Sequence, residues 1–275
     1  MLLASLLLTA APVAALPAPQ DRRAGVTASY HELAAAKDAE GLGELWKDNV
    51  GLVLQVIDAD LEGSLSLWEA AKDSPPTEEI AKLHERALFG AYAASDALGQ
   101  PIFADYASSF VGWDDEQKLA FRAGQAVFGR AAQELRDGDK AVAITAGQET
   151  IERAIALGDW WGAAMGYAVK GEALRAEGEH EDALSSLAMA RQINHALGLQ
   201  SSELRNVRSM LAAARALERH PRALSLAASL ATLAEAFQDN ATLRQALTAK
   251  AELETALNLP DRAAATRARL ESLPE

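Results

Sequence analysis

Apolar residues recur at helical spacing along most of the chain. In residues 166–178, and again in residues 183–190, they are separated by three or four positions, which places them on one face of a helix. Small residues at Gly171 and Ala183 would let the two helix axes approach closely. The intervening segment EGEHE is polar, so the pattern predicts a helical hairpin with His180 in its solvated turn.

The same register returns at intervals of forty residues or a multiple of forty. The positions that share it are Gly63, Ala143, Ala183, Ala223 and Ala263. Leu157-Gly158 and Leu197-Gly198 end the second helices of two successive predicted pairs, since glycine is a common helix stop. This spacing predicts about six helix pairs after a leading helix at residues 27–37. The pairs are expected to start near Glu44, His84, Gly124, Ala164, Leu204 and Arg244.

Composition supports an all-α protein. Hydrophobic residues make up 49% of the chain but aromatic residues only 5%, and Ala and Leu, the best helix formers, dominate. Runs rich in Val, Ile, Thr and aromatic residues, which are typical of strands, are few.

Residues 44–77 resemble a tetratricopeptide repeat. In that family's pattern, Val50-Gly51 take the Leu-Gly places, Leu54 the Tyr place, Gly63 and Leu67 the A-x3-F places, and Pro75 the closing proline. The resemblance covers residues 44–275. It implies a right-handed superhelical solenoid of antiparallel helix pairs, with the first helices lining a concave face that holds a protein or peptide.

The N-terminus predicts export. Residues 1–18 contain an apolar run too short to span a bilayer, followed by small residues and prolines, as in a secretory signal peptide. No Lys or Arg precedes the run, so either translation starts upstream of Met1 or the signal is atypical. We therefore expect a periplasmic or extracellular bacterial protein, with an uncleaved N-terminal anchor as the alternative. Residues 19–43 are expected to form a linker and the leading helix.

Charge and cysteine content exclude several kinds of site. The formal net charge is −13 and the pI about 4.9, which disfavours nucleic acid as a partner. The chain has no cysteine, so it forms no disulfide and no thiolate metal site. The sequence predicts no cofactor.

Residues 58–69, DADLEGSLSLWE, match most of a calcium-binding loop. Asp58, Asp60 and Glu69 stand at ligand positions, and Glu62 replaces the usual Asp or Asn. The competing interpretation is a hairpin turn, in which Asp58, Asp60 and Glu62 form the polar turn and the first turn of the second helix, whose N-terminus favours acids. The turn explains the same residues without a metal.

Four arginines, Arg205, Arg208, Arg215 and Arg219, are predicted to share one stripe of a helix. In an acidic protein such a stripe could bind a C-terminal carboxylate or an acidic segment of a partner. The alternative is a solvated face balanced by nearby Glu residues.

These patterns favour a non-catalytic protein–protein interaction scaffold. No nucleophile stands beside a base, and the five histidines are scattered without metal-ligand spacing. Two alternatives remain: a calcium-responsive helical module that uses the loop 58–69, and an enzyme whose carboxylates come from different repeats.

Overall fold

The structure is a computed structural model that describes residues 19–71 and 74–273. Thirteen α-helices and one short 3-10 helix (Val50–Leu52) account for its regular structure, and these described residues contain no strand. The helices are α1 Pro19–Ala35, α2 Ala39–Asp48, α3 Val53–Ala70, α4 Thr77–Leu98, α5 Ile102–Gly112, α6 Asp115–Asp137, α7 Lys140–Leu157, α8 Trp160–Glu177, α9 His180–Ala196, α10 Gln200–Ala216, α11 His220–Ala236, α12 Asn240–Ala256 and α13 Pro260–Glu271.

The expected fold class, an all-α solenoid of antiparallel helix pairs, is confirmed. The expected signal peptide lies outside the described residues. None of the helices in the described part of the chain is both long enough and apolar enough to cross a membrane.

From α7 onwards the solenoid is strictly periodic. Each helix begins twenty residues after the one before, at residues 140, 160, 180, 200, 220, 240 and 260. Each connection contains one residue with a positive φ: Gly138, Gly158, Gly178, Gly198, Glu218, Gln238 and Asn258. A residue in this left-handed region ends a helix and reverses the chain within two or three residues. Two such helices form the predicted forty-residue unit.

The even-numbered helices line one side of the stack. Helix α6 contacts α8, and α8 contacts α10, whereas helices α7, α9 and α11 contact mainly their neighbours along the chain. The expected pair starts lie in the even-numbered helices: Gly124 in α6, Ala164 in α8, Leu204 in α10 and Arg244 in α12.

Helices α8 and α9 form the predicted hairpin. Their connection is Gly178-Glu179, and His180 is already the first residue of α9. The helices pack closely because a Cβ at Gly171 would lie only 2.7 Å from Leu187 Cγ. Ala183, at the start of α9, is fully buried. The predicted turn is present, but His180 is not a solvated turn residue, since it lies in α9 and its Nδ1 is buried.

The N-terminal region departs from the repeat. Helix α4 packs against α1, α2, α3 and α5, so these helices form a bundle around α4 rather than a row of pairs. The expected repeat unit at residues 44–77 is wrong, because residues 53–70 form one uninterrupted helix where the hairpin turn was expected. The boundary expected between residues 43 and 44 falls inside α2. Helix α1 is part of the bundle, since Tyr30 is fully buried in its core.

Tryptophans fill the joints of this bundle. The indole N–H of Trp46 donates to Gly90 O at 3.0 Å, which ties α2 to α4. The indole N–H of Trp113 donates to Leu157 O, at the end of α7, at 2.9 Å. Phe121 of α6 packs against Trp113 with ring centroids 4.9 Å apart. The bundle therefore shares one apolar core with parts of α7, α8 and the end of α9, whereas α10 to α12 belong to a second cluster.

Candidate functional sites

Three of the four predicted arginines are engaged within the protein. Arg208 donates to Thr242 Oγ1 at 2.6 Å, and Arg215 pairs with Glu252 at 2.8 Å, so both tie α10 to α12. Arg219 lies beyond the end of α10, in the connection to α11, and pairs with Glu181 of α9. The stripe therefore ends at Arg215 and mainly holds neighbouring helices together.

Arg205 differs from the other three. It is exposed and has no hydrogen bond or ion pair to any other described residue. It lines a groove of about 440 Å³ on the side of the stack formed by α6, α8 and α10. Lys140 and Arg175 line the same groove, which we call the α6–α8–α10 groove. Its one lining carboxylate, Glu172, accepts a hydrogen bond from Arg175 Nε at 2.9 Å. The lining residues therefore carry an excess of positive charge in a protein of net charge −13.

Asn206 lines this groove and carries a buried hydrogen-bond donor without a partner. The residue is 2% exposed, and its Nδ2 has no hydrogen-bond partner. An unsatisfied buried donor costs about 1–3 kcal/mol, which a ligand oxygen would recover. The groove therefore offers an amide donor beside three cations, an arrangement suited to carboxylate and peptide oxygens.

The acids expected in a calcium loop lie in the middle of α3. Asp60 is 4% exposed and accepts hydrogen bonds at its Oδ2 from Tyr30 Oη and Arg86 Nε, both at 2.8 Å. A second bond joins Arg86 to Asp60 Oδ1. Tyr30 Oη also lies 2.9 Å from Arg86 O. This network fastens α1, α3 and α4 together.

Glu62 and Glu69 share one arginine of α6. Arg122 donates to Glu62 at 2.8 Å and makes a two-point contact with Glu69 at 2.8 and 3.0 Å. These partners balance the acids that a calcium loop would present to the ion. Because residues 58–69 are helical, the loop and the turn expected there are both wrong. Among residues 19–71 and 74–273, no three His, Asp or Glu side chains are arranged to hold a metal ion.

Asp58 faces a different environment. It lines a cavity of about 240 Å³ where α3, α5, α6 and the start of α8 meet. Asp159, the residue before α8, lines the same cavity and is 8% exposed. Tyr106 Oη donates to Asp58 Oδ1 at 2.6 Å, and Gly162 N donates to Asp159 Oδ1 at 2.8 Å. We call this space the acidic cavity.

Burial changes the acid strength of both groups. It raises the pKa of Asp58 to about 6, and the nearby charge of Glu62 adds to the rise. Burial likewise raises the pKa of Asp159 to about 6, with the charge of Asp58 adding to it. The Tyr106 hydroxyl and Arg122 oppose the rise at Asp58. These two carboxyls therefore exchange protons just below neutral pH.

The sequence alone did not reveal this pair. Asp58 was noticed only as a possible calcium ligand, and Asp159 lies about a hundred positions further along the chain. A weak signal was present, because Asp139, Asp159 and Asp239 recur at one place of the repeat and cap the helices that follow. Capping explains all three without a cavity, so the periodicity could not single out Asp159.

Comparison with known proteins gives no family for this chain. No protein-family model matches the sequence, and no curated protein matches it significantly.

Replacing Asp159 with Asn should stabilise the protein at neutral pH. Asn caps a helix about as well as Asp but carries no charge to bury. The pKa of Asp159 is about 6 in the folded protein, against 3.8 ordinarily. Its favourable contribution to the free energy of unfolding is therefore complete below about pH 4 and is lost as the pH rises through 6. We expect Asp159→Asn to raise the free energy of unfolding by roughly 2 kcal/mol at pH 7.5 and to change it little at pH 4.

Urea denaturation across this pH range measures the effect. Asp139→Asn is the matched control, since Asp139 caps α7 through Val142 N at 3.0 Å but is exposed. An equal gain in both variants would contradict burial as the cause.

Proposed function

We propose that this chain is a non-catalytic interaction scaffold that holds an acidic segment, or the C-terminal carboxylate, of a protein partner in the α6–α8–α10 groove. The observation that carries the proposal is the buried, unpaired amide of Asn206 among Lys140, Arg175 and Arg205. A carboxylate or peptide oxygen would satisfy the amide and be attracted by the cations. Binding in a groove along a solenoid also suits an extended partner.

The repeat supports a more specific assignment. We propose that α6 to α13 are degenerate tetratricopeptide-like pairs, with the even-numbered helices on the inner, concave side. Forty residues exceed the repeat of about 34 that is usual for that family, because both helices of each pair are long. The apolar N-terminal segment favours an exported protein of the bacterial cell envelope, with the groove facing envelope partners.

Binding of a labelled peptide to the full chain tests the groove. We propose a Glu-rich peptide with a free C-terminus, followed by fluorescence anisotropy. The same peptide with an amidated C-terminus, or with Gln in place of Glu, would show which carboxylates contribute. Binding should weaken with salt, since exposed charges are screened.

Reversing the charge at Arg205 should abolish most of this binding. We expect Arg205→Glu to weaken affinity about tenfold or more, the equivalent of about 1.4 kcal/mol, without lowering the melting temperature. Arg222→Glu is the matched control, because Arg222 is also exposed but lies on α11, outside the groove. Equal affinity of the two variants would dispose of the groove as the binding site.

A further inference from the structure

The acidic cavity contains buried charge without a counterion. Asp159 is more than nine-tenths buried, and no described side chain donates a hydrogen bond to it or pairs with it as a cation. Asp58 receives one hydrogen bond, from Tyr106, and forms no ion pair. By contrast, Asp60, Glu62 and Glu69 on the same helix are all bound by arginines. A buried carboxylate without a partner is costly, so a cation in this cavity would be strongly favoured.

The cavity is built to keep its carboxylate in place. A Cβ at Gly162 would lie 2.1 Å from Asp159 Oδ2, so a larger residue there would force the carboxylate to turn away from its present position. Gly162 N then fixes the other oxygen, Oδ1, at 2.8 Å. Asp159 is thus held by the backbone, and its side chain remains available to a ligand.

The other walls favour an organic cation over a metal ion. Tyr106, Phe121, Trp161 and Met165 line the cavity together with the two aspartates, Glu62 and Gln125. Aromatic faces attract organic cations and pack against their methylene groups. In the part of the chain that the structure describes, no set of three acidic or histidine side chains is placed to ligate a metal. A volume of about 240 Å³ lies below the ~300–1,000 Å³ of drug-sized ligand sites, so the ligand is small.

We propose that the acidic cavity binds the protonated amine of a small aliphatic ligand, with the ammonium group between Asp58 and Asp159 and its methylene groups against Trp161 and Phe121. The same chemistry belongs to a free aliphatic amine and to the lysine side chain of a partner protein. This site is separate from the α6–α8–α10 groove and binds a cationic ligand, whereas the groove binds an anionic one.

Calorimetry with the full chain at pH 7.5 tests the proposal. The probes are butylammonium, neutral butanol of similar size, and the tripeptide Gly-Lys-Gly with acetylated N-terminus and amidated C-terminus, whose one amine is the lysine side chain. Butylammonium should bind and raise the melting temperature, and butanol should do neither. Binding of the tripeptide as well would identify lysine side chains as a source, and its failure would restrict the site to free amines.

Substitution and pH supply two further tests. Asp159→Asn should weaken butylammonium binding at least tenfold, while Asp139→Asn, which changes an equivalent helix cap outside the cavity, should leave it unchanged. Binding should also weaken below pH 6. Burial raises the pKa of both aspartates to about 6. At Asp58 the charge of Glu62 adds to this rise, whereas Tyr106, Arg122 and Arg23 oppose it.

Three results would each overturn the proposal. They are binding of butanol as strong as that of butylammonium, full affinity in Asp159→Asn, and the absence of any heat or thermal shift with butylammonium at millimolar concentration. Because Asp159→Asn is expected to fold and to be more stable than the parent at this pH, loss of binding in that variant reports on the site.

Discussion

Replacing Arg86 with Met should destabilise the protein by about 3–5 kcal/mol, the cost typical of leaving one buried charge without its partner. Arg86 contacts both oxygens of Asp60, whose side chain is only 5% exposed. The variant would leave Tyr30 Oη as the one observed donor to that carboxylate. Because the network joins α1, α3 and α4, the loss should appear as unfolding of the whole bundle at lower urea concentration.

Two further variants test the cause. Lys82→Met lies one turn earlier on α4 and removes an exposed ion pair with Glu78, so it should cost less than about 0.5 kcal/mol. The double variant Arg86→Met with Asp60→Asn removes both charges and should recover much of the lost stability. If the double variant were no more stable than Arg86→Met alone, packing rather than the charge would be responsible.

Replacing Gly166 with Val should destabilise the solenoid by roughly 3 kcal/mol or more, at the upper end of the cost of overpacking. Helices α7 and α8 cross at this glycine. A Cβ there would lie 2.9 Å from Ile151 Cγ1, 3.0 Å from Ile151 N and 3.1 Å from Gly147 O. Two of these atoms are backbone, so the added side chain can be accommodated only if the helix axes move apart.

Gly129→Ala is the control for this prediction. Gly129 lies on the exposed face of α6, and nothing would lie within 4 Å of its added Cβ. Alanine should therefore stabilise this helix by about 0.5–1 kcal/mol. Urea denaturation of both variants measures the two effects. Destabilisation in both would mean that glycine is needed for some reason other than close packing.

The repeat could be predicted from the sequence because it is local. The few residues around each position explain Gly171, Ala183 and the helix stops Gly158 and Gly198. The same local pattern then returns at regular intervals along the chain. The N-terminal bundle could not be predicted in this way. The acids of residues 58–69 look like a turn when considered alone, yet they lie in one continuous helix, where Arg86 and Arg122 of other helices pair with three of them.

The candidate sites divide in the same way. The sequence identified Arg205 as part of a stripe, but only the packing of α10 against α12 and α9 showed that Arg208, Arg215 and Arg219 are already occupied. Arg205 and Asn206 likewise line a groove only because α6 and α8 supply its other walls, and those helices are not part of the stripe.

By itself, the sequence determined the helical class and the forty-residue unit, because periodicity and helix stops act over a few residues. Only the tertiary structure decided which charges are neutralised and which remain free. That outcome depends on burial and on partners far away in the chain, as when Asp58 and Asp159 meet in one cavity.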